Sequence, residues 1–306
     1  MTEATSPAAG PGPIRSLLFV PGNRGDWVES ARRSGADAVV FDLEDAVPVS
    51  EQEAARRVVA DAVEQYGASA PRLMVRIGPP GTEAAEADLE AVVRPGIGGI
   101  MMPLVTSPEE VRHVAARLDR LETERGIEAG STVIMPLVET AQAARMSYEI
   151  ATSTPRVAYM GGGTSRQGDI ARSLGYQWTP EGTETLMMRS WVLMNVRAAG
   201  VAYPVSGMWS VLDDMDGLRA FAKQTRMLGY TGIMVIHPSH VAVANEVFTP
   251  TAADVLRWRQ VIQAMRSAQA DGRGAIRFHG ELLDEAHVKT AELGLALASR
   301  LSVATD

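Results

Sequence analysis

The sequence predicts an α/β fold, a (β/α)8 TIM barrel with a C-terminal helical extension, and three observations predict it. Eight short β-branched or apolar runs recur along the chain, the number that closes a barrel. These runs are continuously apolar rather than alternating, as strands covered on both faces are. Each is followed by turn residues and a longer amphipathic segment, which permits parallel pairing through helical crossovers. A chain of 306 residues accommodates one barrel of about 200 to 250 residues or more with an extension.

In order, the runs are "SLLFVPG", "DAVVFDLED", "LMVRIG", "GIMMPLV", "TVIMPLVET", "RVAYMGGG", "AYPVSGMW" and "GIMVIHP". The best-marked helix is "SPEEVRHVAARLDRLE", where Ser107 caps, Pro108 takes the first turn and Glu110 completes a capping box. No repeat or low-complexity tract interrupts residues 14–250, expected to form the barrel. The opening "MTEATSPAAGPGP", residues 1–13, lacks the charged and apolar regions of a signal peptide and is expected to be a disordered tail. Residues 251–306 read as two helices, "DVLRWRQVIQAMRSAQA" and "EAHVKTAELGLALAS", separated by "DGRGAIRFHGELLD". That extension is too small for a sizeable core of its own, and is expected to pack on the barrel or on a neighbouring subunit.

Composition narrows the function. With 46% hydrophobic and 22% charged residues the chain is an ordinary globular protein. A formal charge of -8 argues against a nucleic-acid partner, which favours a basic face. No apolar run reaches the roughly 18 residues of a spanning helix, so a cytoplasmic protein with no membrane partner is expected. The absence of cysteine excludes disulfides and thiolate nucleophiles or ligands. The two lysines, Lys223 and Lys289, lie in segments of helical spacing away from strand ends, which makes a Schiff-base route improbable.

In a parallel barrel the site lies at the carboxyl ends of the strands. That rule gathers Asp42, Glu44, Asp45, Arg76, Glu139, Asp169 and His237. Five acids around one arginine repel unless protonated, hydrogen-bonded or neutralised. Oxygen ligation by one or two carboxylates with water and substrate suits Mg2+ or Mn2+. Each residue also has a plainer reading. Asp169 and Glu139 can serve the starts of the helices that follow them, the acids of "DLEDAV" can be solvated loop charges, Arg76 an ion-pair partner, and His237 a hydrogen-bonded structural residue. Taken together the acids favour the metal. The "GGG" run lacks the G-x-G-x-x-G spacing of a dinucleotide fingerprint.

The strings "RSLLFVPGNR", "GADAVVFDLEDAV", "VRIG", "PLVETA", "GDIARSLG", "LGYTGIMVIHPSHVAVANEVFTP" and "GELLDEAH" resemble, in this order, the citrate lyase β-subunit-like branch of the HpcH/HpaI aldolase superfamily. The resemblance runs from residue 15 to about residue 295. It implies a Mg2+-dependent TIM barrel, a homotrimer or homohexamer, that makes or breaks a carbon–carbon bond next to a carboxylate or thioester of a small-molecule substrate. It further implies Glu139 and Asp169 as metal ligands, Arg76 as holder of a substrate carbonyl or carboxylate, and Glu44 and Asp45 as binders of metal waters. Asp284 matches an acid that relatives extend into a neighbouring subunit's site as acid/base. The glycines Gly162 and Gly163 are expected to let backbone approach the substrate, and Arg166 to contact an anionic group.

The implied activity is retro-Claisen or retro-aldol cleavage of a β-hydroxy acyl-CoA of malyl, citramalyl or citryl type. An aldolase on free 2-oxo or hydroxy acids, a malyl-CoA-type thioesterase and a non-catalytic barrel subunit are the alternatives. Departures bear on the substrate: Ser30, Gln52 and Leu104 stand where relatives generally carry lysine, and Gly78 where they carry asparagine. Fewer cations weaken the expected grip on CoA phosphates or a substrate carboxylate.

Overall fold

In the computed structural model the described residues are 11–303 apart from Ala68 and Ala70. The expected tail lies outside them as far as residue 10. The chain divides into two compact units, one of Ile14–Phe248 and another holding the described residues from Thr249 onward.

The first unit contains the eight expected strands: β1 (Ser16–Pro21), β2 (Ala38–Asp42), β3 (Arg72–Arg76), β4 (Gly99–Met102), β5 (Val133–Val138), β6 (Gly161–Gly162), β7 (Val205–Trp209) and β8 (Gly232–Val235). All pair in parallel in the order β6-β5-β4-β3-β2-β1-β8-β7, with β1 between β2 and β8. This is a nearly closed (β/α)8 barrel. The continuous apolar runs are explained by burial on both faces. Along β2, Ala38 and Val40 enter the inner cluster with Met74, Met101 and Met135. Val39 and Phe41 enter the outer cluster beneath the helices.

The seam between β6 and β7 is closed by other bonds than a strand ladder. Met208 N donates to Thr164 O at 2.7 Å, and the Ser206 hydroxyl donates to Gly162 O. Gly162 N donates to the Tyr230 hydroxyl at 3.2 Å, and that hydroxyl donates to Arg189 O. A Cβ on Gly161 would lie 2.0 Å from Val205 O, so only glycine admits this approach. The expected run "RVAYMGGG" thus bridges Ile134 at Val157 and resumes its ladder only at Gly161.

Local signals act as read. Ser107 and Glu110 form the capping box of helix Pro108–Arg125, whose chain leaves through left-handed Gly126. In the second unit, helices Ala252–Ala270 and Glu285–Arg300 pack with one another around Val261, Ile262, Met265, Leu283 and Val288. The segment read as a connector is a hairpin of β9 (Ile276–Phe278) and β10 (Glu281–Leu283). Its two-residue turn, His279 and Gly280, has positive φ at both positions, the geometry that matches strand twist.

Candidate active site

Three acids and an arginine reach the barrel mouth because the strands end there. Asp42 is the last residue of β2, Arg76 the last of β3, Glu139 follows β5, and Asp169 lies beyond β6. Asp42, Asp45, Arg76, Glu139 and Asp169 line one cavity of about 450 Å3.

Asp42 anchors the arginine. It is 2% exposed, and its two oxygens accept from Arg76 Nε and Nη2, both at 2.7 Å. The same oxygens accept from Glu44 N at 3.0 Å and Ala46 N at 3.1 Å, which fixes the "DLEDA" turn. Arg76 Nη1 lies 2.8 Å from Glu44 Oε2 and 3.7 Å from Asp45. The Glu44 oxygen is buried and off the N–H direction, so this is an ion pair without a hydrogen bond. Burial works against charge on Arg76, yet the Asp42 hydrogen bonds and the neighbouring carboxylates outweigh it and hold the guanidinium protonated. Phe19 lies beneath it, with the ring centroid 5.4 Å away.

Neither Glu139 nor Asp169 caps the helix that follows it, although Asp169 stands in the first turn of its helix. Helix Ala141–Arg145 is capped by Thr140, which accepts from Ala143 N, leaving Glu139 free of that task. Glu139 Oε2 instead accepts from Leu104 N at 2.9 Å. Leu104 sits at φ 49°, a left-handed conformation costly for a side-chain-bearing residue. Asp169 opens helix Asp169–Leu174 without capping it; Gly168 at φ 135° is the preceding residue, and the Asp169 carboxylate pairs with Arg172.

The electrostatics are those of a site short of positive charge. Burial, with Asp45, Glu139 and Asp42 adding to it and Arg76 opposing, pushes Glu44 up to about 7. Burial also raises Glu139, against the pull of the Leu104 amide and Arg76, and the charges of Asp169 and Asp45 raise it further. Among the described residues no group of three or more histidines, cysteines and acids is arranged to cage a metal alone. One or two carboxylates completed by water and substrate is how Mg2+ is ordinarily held. The all-oxygen donors and the two raised carboxyls fit that ion.

Several expected site residues lie elsewhere. Gly162 does not line the cavity; its N–H and carbonyl are spent on Tyr230 and Ser206. Gly163 does line it, and also lets β6 pass Val138, since a Cβ there would lie 2.6 Å from Val138 O. Arg166 is exposed and absent from the lining, which runs through Ser165 and Gln167. His237 is exposed, its Nδ1 2.7 Å from the Ser239 hydroxyl and accepting from Ser239 N at 3.2 Å. Asp284 belongs to the second unit, where it caps helix Glu285–Arg300 by accepting from Ala286 N. Lys223 and Lys289 are exposed on helices. Gly78 donates to the buried Asp88, and a Cβ on it would lie 3.2 Å from Ala84 Cβ, a tight fit for any larger residue.

Sequence reading missed Phe19, Trp27, Met208 and Met234 in the lining. Phe19 and Met234 lie within strand runs whose inner face period two marks; nothing in the sequence marks Trp27.

The fold and the site define a class: a (β/α)8 barrel with an acid-dominated, oxygen-rich centre at the carboxyl ends of its strands, suited to a hard divalent cation. Residues 15–238 match the HpcH/HpaI aldolase/citrate lyase family, and the chain belongs to it. It is 39% identical to a citrate lyase subunit beta-like protein of Deinococcus radiodurans, over 90% of this chain and 94% of that one. It is 32% identical to a (3S)-malyl-CoA thioesterase of Cereibacter sphaeroides, over 95% and 96%. A solved structure of CitE from Mycobacterium tuberculosis in complex with magnesium, acetoacetate and coenzyme A superposes with a TM-score of 0.74 at 28% identity, covering 95% of this chain and 99% of that one. No helix among the described residues is long and apolar enough to cross a membrane.

Proposed function

We propose that this chain is a Mg2+-dependent carbon–carbon lyase that cleaves a β-hydroxy acyl thioester or a related hydroxy acid into an acyl fragment and a 2-oxo acid. The observation that carries the reading is the excess of carboxylates sharing one guanidinium, two of them pushed toward the protonated form. The magnesium-bound CitE structure and the citrate lyase relatives support it.

In this reading Glu139 and Asp169 hold the cation, and Glu44 and Asp45 hold its waters. Mg2+ held there would supply positive charge to a substrate carbonyl oxygen on which negative charge develops. Arg76, oriented by Asp42, presents its remaining N–H groups to the same developing charge. A carboxylate accepts the hydroxyl proton; Asp284 of a neighbouring subunit in a homotrimer or homohexamer is the one the family pattern nominates. Its carboxyl is held below the usual range, first by His287 at 2.8 Å, which keeps it ionised.

A free hydroxy acid as substrate is favoured by Ser30, Gln52 and Leu104 at the lysine positions, and a thioesterase by the Cereibacter relatives. Titrating Mg2+ into the parent and into Glu139→Gln and Asp169→Asn tests the shared premise. Each variant is expected to weaken binding by at least the ~10-fold that even an outer-sphere partner is worth. Unchanged affinity in both removes the reading. Mass spectrometry of products from hydroxyacyl-CoAs and free hydroxy acids separates lyase from thioesterase.

A further inference from the structure

Arg76 is the single cation among the residues lining the cavity, against Asp42, Asp45, Glu139 and Asp169. Its Nε and Nη2 are taken by Asp42, and Nη1 is ion-paired with Glu44. What remains of the fork serves one substrate oxygen, and the lining offers a second carboxylate no further cationic side chain, only the uncharged Thr164, Ser165 and Gln167. An unpaired carboxylate in this surround meets like charge and pays its desolvation uncompensated.

Most of the remaining lining is apolar: Phe19, Trp27, Leu137, Met208, Met234 and Ile236. One of these is there through a backbone irregularity. In an unbroken strand Val205, Gly207 and Trp209 share a face, which sends the Trp209 indole into the barrel behind Val205. The β7–β8 register shifts between Val205 and Met208, and Gly207 takes φ 73°. The bulge reverses the alternation. Val205 and Met208 both pack with the inner cluster, whereas Trp209 joins the outer one. There Trp209 meets Phe221 at 5.8 Å and Trp178 at 6.5 Å between ring centroids. The bulge therefore exchanges an indole for a thioether at the cavity and leaves it open. Methionine is the side chain that adapts most readily to an apolar guest.

We infer that the substrate of the proposed reaction carries on its hydroxyl-bearing carbon a branched aliphatic or aromatic substituent, larger than the methyl of a citramalyl-type substrate, where a citryl-type substrate carries a further carboxylate. The inference rests on the reading above. The carbon–carbon bond beside that hydroxyl breaks and its electron pair becomes the enolate of the acyl fragment, which takes up a proton. The hydroxyl proton passes to a carboxylate as the C–O becomes the carbonyl of a 2-oxo acid bearing the apolar group. No oxidant or reductant is needed.

Calorimetric titration of the full chain with 2-oxo acids, with and without Mg2+, tests this. The set is 4-methyl-2-oxopentanoate, phenylpyruvate, glyoxylate and oxaloacetate. At least one of the first two is expected to bind tenfold or more tighter than the last two. Met208→Lys is expected to shrink that ratio and strengthen oxaloacetate, and Ile236→Lys is the second variant should the first not fold. Oxaloacetate or glyoxylate binding as tightly as the apolar pair, or no 2-oxo acid binding while Mg2+ does, overturns the inference and leaves the metal reading standing. Apolar preference without Mg2+ binding overturns the metal reading and keeps the pocket assignment.

Discussion

Replacing Asp42 by asparagine isolates what holds Arg76 at the mouth. All four partners of the Asp42 carboxylate are donors: Arg76 Nε and Nη2, Glu44 N and Ala46 N. Asparagine offers one acceptor oxygen, and its amide group then faces N–H donors with no acceptor among them. Whichever way it turns, one hydrogen bond from the guanidinium and one from the backbone are lost, because each oxygen receives one of each. A charged hydrogen bond is worth about 1.5–3 kcal/mol and a neutral one about 1 kcal/mol, and breaking a buried pair costs about 3–5 kcal/mol. Arg76 keeps Glu44 at 2.8 Å, which places the expected loss near the lower end, about 3 kcal/mol. The assay is urea unfolding of Asp42→Asn, Arg76→Met and the double variant. The double variant is expected to be more stable than the sum of the single losses predicts, since removing both partners strands neither. A loss below about 1 kcal/mol, or a cycle additive within about 0.5 kcal/mol, refutes the reasoning.

Two further predictions concern the frame of the barrel. Gly161→Ala places a Cβ 2.0 Å from Val205 O, whereas Gly35→Ala meets nothing within 4 Å and is strained only by φ 80°. The second is expected to cost about 1 kcal/mol and the first several times more, with thermal unfolding of both as the check; equal costs contradict the seam described here. Burial holds the His240 imidazole below its usual range, with Leu212 O opposing and His237 adding to the depression. The unfolded chain therefore takes up the proton first as pH falls. The contribution is fully present above the unfolded value of about 6.5 and is lost below it, toward the depressed folded value. Unfolding free energies at pH 7.5 and 5.5 are expected to fall less in His240→Gln than in the parent; parallel losses count against it.

How legible the site was depended on where each residue stands on its element. Glu139 and Asp169 were readable because each follows an apolar run, and the end of a barrel strand has one destination. Their neighbours could not be sorted by the same rule. Thr140 turned out to cap the helix that Glu139 was positioned to cap, and local spacing does not say which of two adjacent polar residues does so. The glycines of "GGGTSRQGD" were read as room for substrate, yet Gly161 and Gly162 serve the β6–β7 seam. A glycine reports that something approaches the backbone and is silent about what. The β9–β10 hairpin was missed although His279-Gly280 carries the turn signal, because its strands are only three residues each.

What the sequence by itself determined is the class of the fold, the order of its eight strands, the capping box at Ser107 and the set of acids facing one arginine. All of these follow from short-range periodicity and from which end of a strand a residue occupies. Only the tertiary structure decided that Asp42 locks Arg76, that left-handed Leu104 fixes Glu139, and that Met208 rather than Trp209 lines the cavity. Each depends on register between strands distant in the chain, and a shift of one residue in a period of two reverses every side chain after it.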